Sequence, residues 1–183
     1  RLFDALHARG WVPMGGRVVE VGPGTGALAA DWTAQAATRG VAVADYLRVD
    51  LSPVLLAAQA EKAPHTRGIA GSAAALPVAD GSVDLLLSNE VMADLEAAPL
   101  TDEVRARVER FALAPLPTGS RYNLGAWKLV EECARVLRPG GCAYLSEFGD
   151  LDEVPTETVQ LDHPEVSVHF GHLRDVALAL GLV

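Results

Sequence analysis

The chain has 183 residues, of which half are hydrophobic and 21% are charged, and its formal net charge is -9. This length suits one domain with a sizeable core, and no apolar run approaches the roughly 18 residues needed to span a bilayer. Lys and Arg are scattered along the chain, whereas a nucleic-acid backbone is bound by clustered cations. The composition therefore predicts a globular domain that binds neither nucleic acid nor a membrane.

The cysteines and the N-terminal residues indicate a cellular compartment. Cys133 and Cys142 flank a Pro-Gly-Gly turn in apolar surroundings, and the first residues carry no secretory signal. We interpret both cysteines as small core residues and not as a disulfide or a metal pair, which indicates a reducing compartment. The protein is therefore expected to be cytoplasmic.

Strand and helix signals alternate along the chain. A leading helix places Leu2, Phe3 and Leu6 on one face. Strands are predicted at 17–21, 44–51, 67–71, 83–88 and 142–148. Helices are predicted at 27–38, 53–63, 101–114, 126–137 and 172–180. Alternation of this kind is typical of an α/β fold with a doubly wound, mostly parallel sheet.

One connection in this pattern is unusually long. Residues 92–122 follow the fourth strand and carry a helix of their own. Long insertions of this kind often close over a substrate, and we interpret this one as a lid. The chain, residues 1–183, is expected to form one domain that includes the lid.

A glycine-rich segment, VVEVGPGTG at residues 18–26, follows the first strand and opens a helix. Glycines let the backbone turn tightly and approach a ligand without a Cβ clash. In open α/β sheets such ligands lie outside the carboxyl ends of the strands. The spacing differs from the G-x-G-x-x-G of dinucleotide sites, and the acidic Glu20 would repel a pyrophosphate. Glu20 suits a ligand with a positive amino group and a sulfonium.

The segment VVEVGPGTG resembles the S-adenosylmethionine (SAM)-binding motif of class I methyltransferases, usually written E/D-x-G-x-G-x-G. The resemblance implies that Gly22, Gly24 and Gly26 line SAM and that Glu20 approaches its methionine end. It also implies a Rossmann-like fold. Such methyltransferases normally have a sixth and a seventh strand, so we expect the C-terminal strands to be missing from this chain.

Other predicted cofactor contacts lie at the ends of later strands. Asp50 ends the second strand, from which an acidic side chain can bind both ribose hydroxyls. The segment around Ser72 resembles the part of the family that contacts adenine, and Asn89 falls at the carboxyl end of the fourth strand. The predicted contacts outside the glycine-rich turn are Asp50, Leu51, Ser72, Ala73, Asn89 and Glu90.

A polar segment rich in metal-binding side chains follows the fifth strand. Glu147 ends that strand, and the segment beyond it carries Gln160, His163 and His169. Imidazole together with carboxylate or amide oxygen suits Fe, Mn or a similar ion. Such an ion could bind both oxygens of a 1,3-dicarbonyl and stabilise its enolate. His163 and His172 equally fit surface positions, and His169 also fits a satisfied polar group or a general base.

The stretch QLDHPEVSVHF, with Glu-Phe-Gly after the fifth strand, resembles the metal-dependent C-methyltransferase domains in loading modules of polyketide synthases. Those domains methylate a malonyl-type unit on an acyl carrier protein. The resemblance implies that Gln160 and His169 bind the metal. We expect His163 as a further ligand, because it lies in the same polar segment. Glu147 would position water or accept a proton. The region also resembles methyltransferases that modify an arginine of respiratory complex I, but these usually carry an acidic residue where His169 stands.

Two other functions stay open. One is a metal-free methyltransferase that acts on an N or O atom of a small molecule or protein, with His169 as the general base. The other is a domain that binds SAM without catalysis. For the C-methyltransferase, the expected partner is an acyl substrate, either small or carried by a protein, and the chain is expected to belong to a larger multidomain synthase.

Overall fold

The computed structural model describes residues 1–160 and 162–183. In that part of the chain the helices are α1 (Leu2–Ala8), α2 (Ala27–Thr38), α3 (Pro53–Lys62), α4 (Asp102–Arg110), α5 (Leu124–Val136) and α6 (Phe170–Ala179). The strands are β1 (Gly16–Val21), β2 (Val43–Asp50), β3 (Arg67–Ala70), β4 (Val83–Asn89), β5 (Leu137–Ser146), β6 (Gly149–Asp150), β7 (Glu157–Gln160), β8 (His163–Val166) and β9 (Val168–His169). Helices separate β1 from β2, β2 from β3 and β4 from β5.

The central sheet has five strands in the order β3-β2-β1-β4-β5. β1 pairs in parallel with both β2 and β4, and β2 pairs in parallel with β3. The strand order reverses beside β1, because the chain leaves β3 at one edge and returns as β4 on the other side of β1. This confirms the predicted doubly wound α/β fold. Such folds bind ligands outside the carboxyl ends of the strands at this point of reversal.

An apolar cluster holds the leading helix against the sheet. It joins the strand residues Val18 and Leu85 to Phe3 of α1 and Trp32 of α2. Trp32 is fully buried and meets Phe3 edge to face, with ring centroids 4.9 Å apart. Burying one large apolar side chain contributes about 2–3 kcal/mol to folding. α1 is therefore anchored through the face that its sequence predicts.

The chain divides into two compact units. The first comprises Arg1–Asn89 and Arg135–Leu145, and the second comprises Glu90–Ala134 and Ser146–Val183. The first unit contains strands β1 to β4 and nearly all of β5. The second contains α4, most of α5, and all of β6 to β9 and α6. Residues 92–122 lie inside the second unit, and their function as a lid stays a prediction.

Short strands in the second unit were not predicted from the sequence. β7 and β8 form an antiparallel hairpin, and β6 pairs in parallel with β9. Several element ends also differ from the prediction. β5 covers Leu137–Ser146, so Glu147 follows this strand and does not end it, and α5 begins at Leu124 and not at Ala126. α4 ends at Arg110 and not near Ala114, because Ala112 has a φ of 50° that an α-helix does not adopt. α6 begins at Phe170, two residues before the predicted start.

The cysteines and the helix lengths bear on two sequence-based expectations. Cys133 and Cys142 are free thiols, and burial raises the pKa of Cys133 to about 12. Cys133 is therefore the core residue that the sequence predicts, whereas Cys142 is only partly buried. Among the described residues, no helix is both long enough and apolar enough to cross a membrane.

Candidate active site

The glycine-rich turn leaves β1 through three left-handed residues. Gly22, Gly24 and Gly26 have φ values of 63°, 51° and 79°. Residues with a Cβ are strained at these positive φ values, so the turn depends on glycine at the three positions. The N–H of Gly22 donates to the carbonyl of Val49, and a Cβ on Gly24 would meet nothing within 4 Å. The turn is thus tied to β2 on one side and open beside Gly24.

Asp50 presents a fixed carboxylate at the end of β2. Its Oδ1 accepts the N–H of Ser52 at 2.8 Å, and its Oδ2 accepts the amide of Gln59 at 2.9 Å. A carboxylate has about four acceptor sites, so these two bonds leave capacity for a ribose diol. Leu51 beside it is 74% exposed, which leaves an apolar surface next to the carboxylate.

Glu20 lies inside the sheet. It is 3% exposed, and its Oε2 accepts the hydroxyl of Tyr46 at 2.9 Å. Burial raises the pKa of Glu20 to about 7, although the Tyr46 hydrogen bond and the charge of Arg48 act in the opposite direction. The carboxylate is therefore engaged with its own sheet, and its contact with the methionine end of SAM stays a prediction.

The other predicted SAM contacts of the first unit also follow strand ends. Ser72 comes after β3, bridges to Ala75 and accepts the N–H of Ala74 at 3.1 Å. Ala73 between them is buried, and Asn89 is the last residue of β4. Parallel strands in one sheet end at the same edge, so the structure brings these residues to the edge that carries the glycine-rich turn. Their contact with SAM stays a prediction.

Two carboxylates stand close together in the second unit. Glu90 directly follows β4 and has a φ of 54°, which is strained for a residue other than glycine. Partial burial, followed by the charge and hydrogen bond of Glu147, raises the pKa of Glu90. Glu147 accepts the N–H of Ala93 at 3.1 Å and the N–H of Phe148 at 2.9 Å. The two acids can therefore share one proton.

A group of metal-binding side chains lies in the same unit. The ligand atoms of Asp94, His163 and Glu165 all lie within 4.8 Å of one another. His163 Nε2 is 2.6 Å from Asp94 Oδ1 and 3.1 Å from Glu165 Oε1. One imidazole with two carboxylates is a donor set that fits Fe or Mn. Glu165 also raises the pKa of Glu90, so this group and the carboxylate pair are neighbours.

The structure brings two of the three predicted metal ligands together. Gln160 pairs directly with His163 across the β7–β8 hairpin. Side chains of directly opposed residues point to the same face of a sheet, so Gln160 lies beside the metal-binding group. His169, the third predicted ligand, is not part of this group.

His169 is instead the N-cap of α6. Its Nδ1 accepts the N–H of His172 at 3.1 Å, and the two rings stack with centroids 4.0 Å apart. With Nδ1 as an acceptor, the neutral ring carries its proton on Nε2, so neither nitrogen offers a lone pair to a metal or to a substrate proton. Either role would require this cap to open, and both stay predictions.

Sequence reasoning missed three residues of these sites. Glu165 lies two residues after His163 on the same strand and therefore on the same face, a relation that prediction of β8 would have shown. Asp94 follows β4 in an irregular segment, where no periodic pattern marks it. Gln59 lies on α3, where an amide is usually on the surface.

Comparison with known proteins identifies a family. Residues 19–110 match a family described as methyltransferase domain. A stretch of 134 residues is 30% identical to the biotin biosynthesis bifunctional protein BioHC of Cellvibrio japonicus (strain Ueda107). That stretch is 73% of this chain and 20% of that protein, so the chain spans about a fifth of the length of this curated relative.

Solved structures share the fold. The PH0226 protein from Pyrococcus horikoshii OT3 aligns with a TM-score of 0.59 at 15% identity, over 97% of this chain and 79% of that chain. A TehB-like SAM-dependent methyltransferase from Corynebacterium glutamicum ATCC 13032 aligns with a TM-score of 0.52 at 18% identity, over 97% of this chain and 71% of that chain. Similarity at this level of identity establishes the fold and leaves the substrate open.

Proposed function

Because the chain belongs to the methyltransferase domain family, whose cofactor is SAM, we propose that it transfers the methyl group of SAM to carbon. The acceptor is the carbon between the two carbonyls of a malonyl-type unit on an acyl carrier protein, in polyketide biosynthesis. A divalent metal, Fe or Mn, assists the reaction. The product pair is the C-methylated acyl unit and S-adenosylhomocysteine.

The group of Asp94, His163 and Glu165 is the observation that supports this proposal. Carbon between two carbonyls becomes a nucleophile only when the negative charge left on it is stabilised. These three side chains would hold the metal, with Gln160 next to them. When bound, a divalent ion supplies Lewis-acid polarisation of a carbonyl oxygen.

The carboxylate pair suits the accompanying proton transfer. The acceptor carbon gives up a proton and forms a bond to the methyl group, while the S–CH3 bond of SAM breaks. A base is most effective when its pKa is near the working pH, and the pKa of Glu90 is raised toward that range. Glu147 is fixed by two backbone N–H groups and can pass this proton to or from Glu90.

A second candidate is a metal-free methyltransferase that acts on an N or O atom of a small molecule. Similarity to a biotin biosynthesis protein favours a small-molecule acceptor. The close contact of His163 with Asp94 also favours this candidate, because the two side chains form a direct hydrogen bond without a metal.

The two candidates separate in a metal and product assay. We expect the purified protein to contain about one Fe or Mn and to methylate malonyl-loaded carrier protein, with activity lost on chelation and restored by the metal. NMR of the product distinguishes a C-methyl group from a methyl ester. His163→Asn should lose both metal and activity, whereas His65→Asn, a change at an exposed histidine of the first unit, should lose neither. Protein that is free of metal and insensitive to chelation would favour the second candidate.

A further inference from the structure

Gln59 is a fully buried amide on a helix of the first unit. It is 0% exposed, and it forms hydrogen bonds with both the glycine-rich turn and β2. Its Nε2 donates to the carbonyl of Gly24 at 2.8 Å and to Oδ2 of Asp50 at 2.9 Å. One side chain thus connects the turn after β1 to the carboxylate at the end of β2.

Arg48 fixes which way this amide faces. Its Nη1 donates to Oε1 of Gln59 at 2.9 Å, and a guanidinium can only donate. The Gly24 carbonyl and the Asp50 carboxylate can only accept hydrogen bonds. If the amide of Gln59 were flipped, its oxygen would face these two acceptors and its NH2 group would face the guanidinium donor. Arg48 is itself 1% exposed and held by the hydroxyl of Thr66 at 2.6 Å. The orientation of Gln59 is therefore set before any ligand arrives.

The glycine-rich turn packs against the same side chain. A Cβ on Gly26 would lie 3.2 Å from the Cα of Gln59 and 3.3 Å from its Cβ. Gln59 also leaves Oδ1 of Asp50 to the backbone N–H of Ser52, so both carboxylate oxygens have a fixed donor. The plane of the carboxylate is determined by this pair of bonds.

We propose that Gln59 is a positioning residue for SAM, which turns the Asp50 carboxylate toward the ribose hydroxyls and is itself oriented by Arg48. The inference rests on the proposed binding of SAM at the glycine-rich turn. Gln59 contributes no contact to the ligand. It acts through Asp50, so its effect on affinity depends on the two ribose hydroxyls that donate hydrogen bonds to the Asp50 carboxylate.

Gln59→Glu tests this role, because the new carboxylate can still accept from Arg48 but repels Asp50. Binding of S-adenosylhomocysteine and of its 2′,3′-dideoxy analogue is measured by calorimetry on the whole protein, with circular dichroism as the check of folding. One lost hydrogen bond to a charged group corresponds to about tenfold to a hundredfold in affinity. We expect this loss for S-adenosylhomocysteine and a much smaller loss for the dideoxy analogue.

Two further variants complete the test. Gln35→Glu is the matched control, because Gln35 also accepts from an arginine, Arg39, but lies on α2 away from Asp50, and it should bind like wild type. Gln59→Asn keeps a neutral amide, but its shorter side chain withdraws the amide from Asp50. If Gln59→Glu does not fold, Gln59→Asn should show the same selective loss of affinity for S-adenosylhomocysteine. Unchanged affinity, or equal loss for both ligands, would overturn the positioning role. A wild-type protein that binds neither ligand would overturn the SAM site itself and the inference with it.

Discussion

At the scale of single residues, Gly24 and Gly40 have the same backbone conformation in different surroundings. Their φ values are 51° and 64°, and a Cβ on either would meet nothing within 4 Å. Placing alanine in this left-handed region costs roughly 1–2 kcal/mol. Gly24→Ala and Gly40→Ala should therefore lose similar stability in chemical denaturation. Only Gly24→Ala should lose SAM affinity in calorimetry, because its methyl group would occupy the open side of the turn at which we propose that SAM binds.

Gly40 is the control in this comparison, since it follows the C-terminus of α2 and no proposed ligand approaches it. Equal SAM affinity of the two variants and the wild type would place the ligand elsewhere. The conformation of Gly24 could be predicted from sequence, because only glycine tolerates the required φ without strain. The environments of Glu20 and Gln59 could not be predicted, because both depend on side chains of β2 that only the folded protein brings near.

At the scale of elements, α3 begins with a side-chain cap whose effect on stability can be measured separately from SAM binding. Ser52 Oγ accepts the N–H of Leu55 at 3.2 Å, and Pro53 occupies the first turn. Removing a serine cap costs about 1 kcal/mol. Ser52→Ala should therefore lower the unfolding midpoint by several degrees. SAM affinity should stay within about twofold, because Asp50 is held by the Ser52 backbone N–H, which alanine retains.

The control for this variant is another cap with similar geometry. Thr101 Oγ1 accepts the N–H of Val104 at 3.3 Å at the start of α4, so Thr101→Ala should lose comparable stability. A large loss of SAM affinity in Ser52→Ala alone would show that the serine hydroxyl itself contacts the ligand.

The second unit shows why some elements escape sequence analysis. β7 and β8 have four residues each, and all four positions of β7 are exposed. Strands of this kind carry no apolar alternation, which is the main signal for a half-buried strand. Without this signal the pairing of Gln160 with His163 could not be predicted, because it depends on the register of the hairpin. The sequence leaves His169 open as a metal ligand, a general base or a satisfied polar group. Its function as the N-cap of α6 depends on where that helix begins.

At the scale of the molecule, the predicted fold rests on several independent sequence signals. The predicted methyl acceptor does not. The glycine-rich turn, the apolar strand β4 and the capped α3 all point to one doubly wound sheet, and family membership agrees with them. The proposed methyl acceptor is inferred from a few side chains of the second unit, such as Asp94 and Glu165. These come from separate irregular segments, so no local pattern could predict that they meet.

Each unit also contains a buried titratable group, and the two act on stability in opposite directions. Glu20 binds a proton more tightly in the folded state, because its pKa is raised from 4.5 to about 7. Stability is therefore lost as pH rises through this interval. Burial, with a smaller effect of the neighbouring His169, lowers the pKa of His172, whose Nε2 lies 2.8 Å from the Ala114 carbonyl. The unfolded chain takes up this proton first, so stability is lost as pH falls below about 6.5.

Variants at the two positions should change opposite sides of the stability curve. Glu20→Gln keeps an acceptor for Tyr46, so it should match wild type near pH 5 and exceed it near pH 8 by about 2–3 kcal/mol. His172→Gln keeps a donor for Ala114 and should reduce the loss of stability between pH 6.5 and pH 5. Urea denaturation across pH measures both effects, with Glu61→Gln, a change at an exposed carboxylate of α3, as the control that should follow wild type. A parallel pH profile for Glu20→Gln and wild type would show that Glu20 is ionised in the folded protein throughout this range, stabilised there by Arg48 and Tyr46.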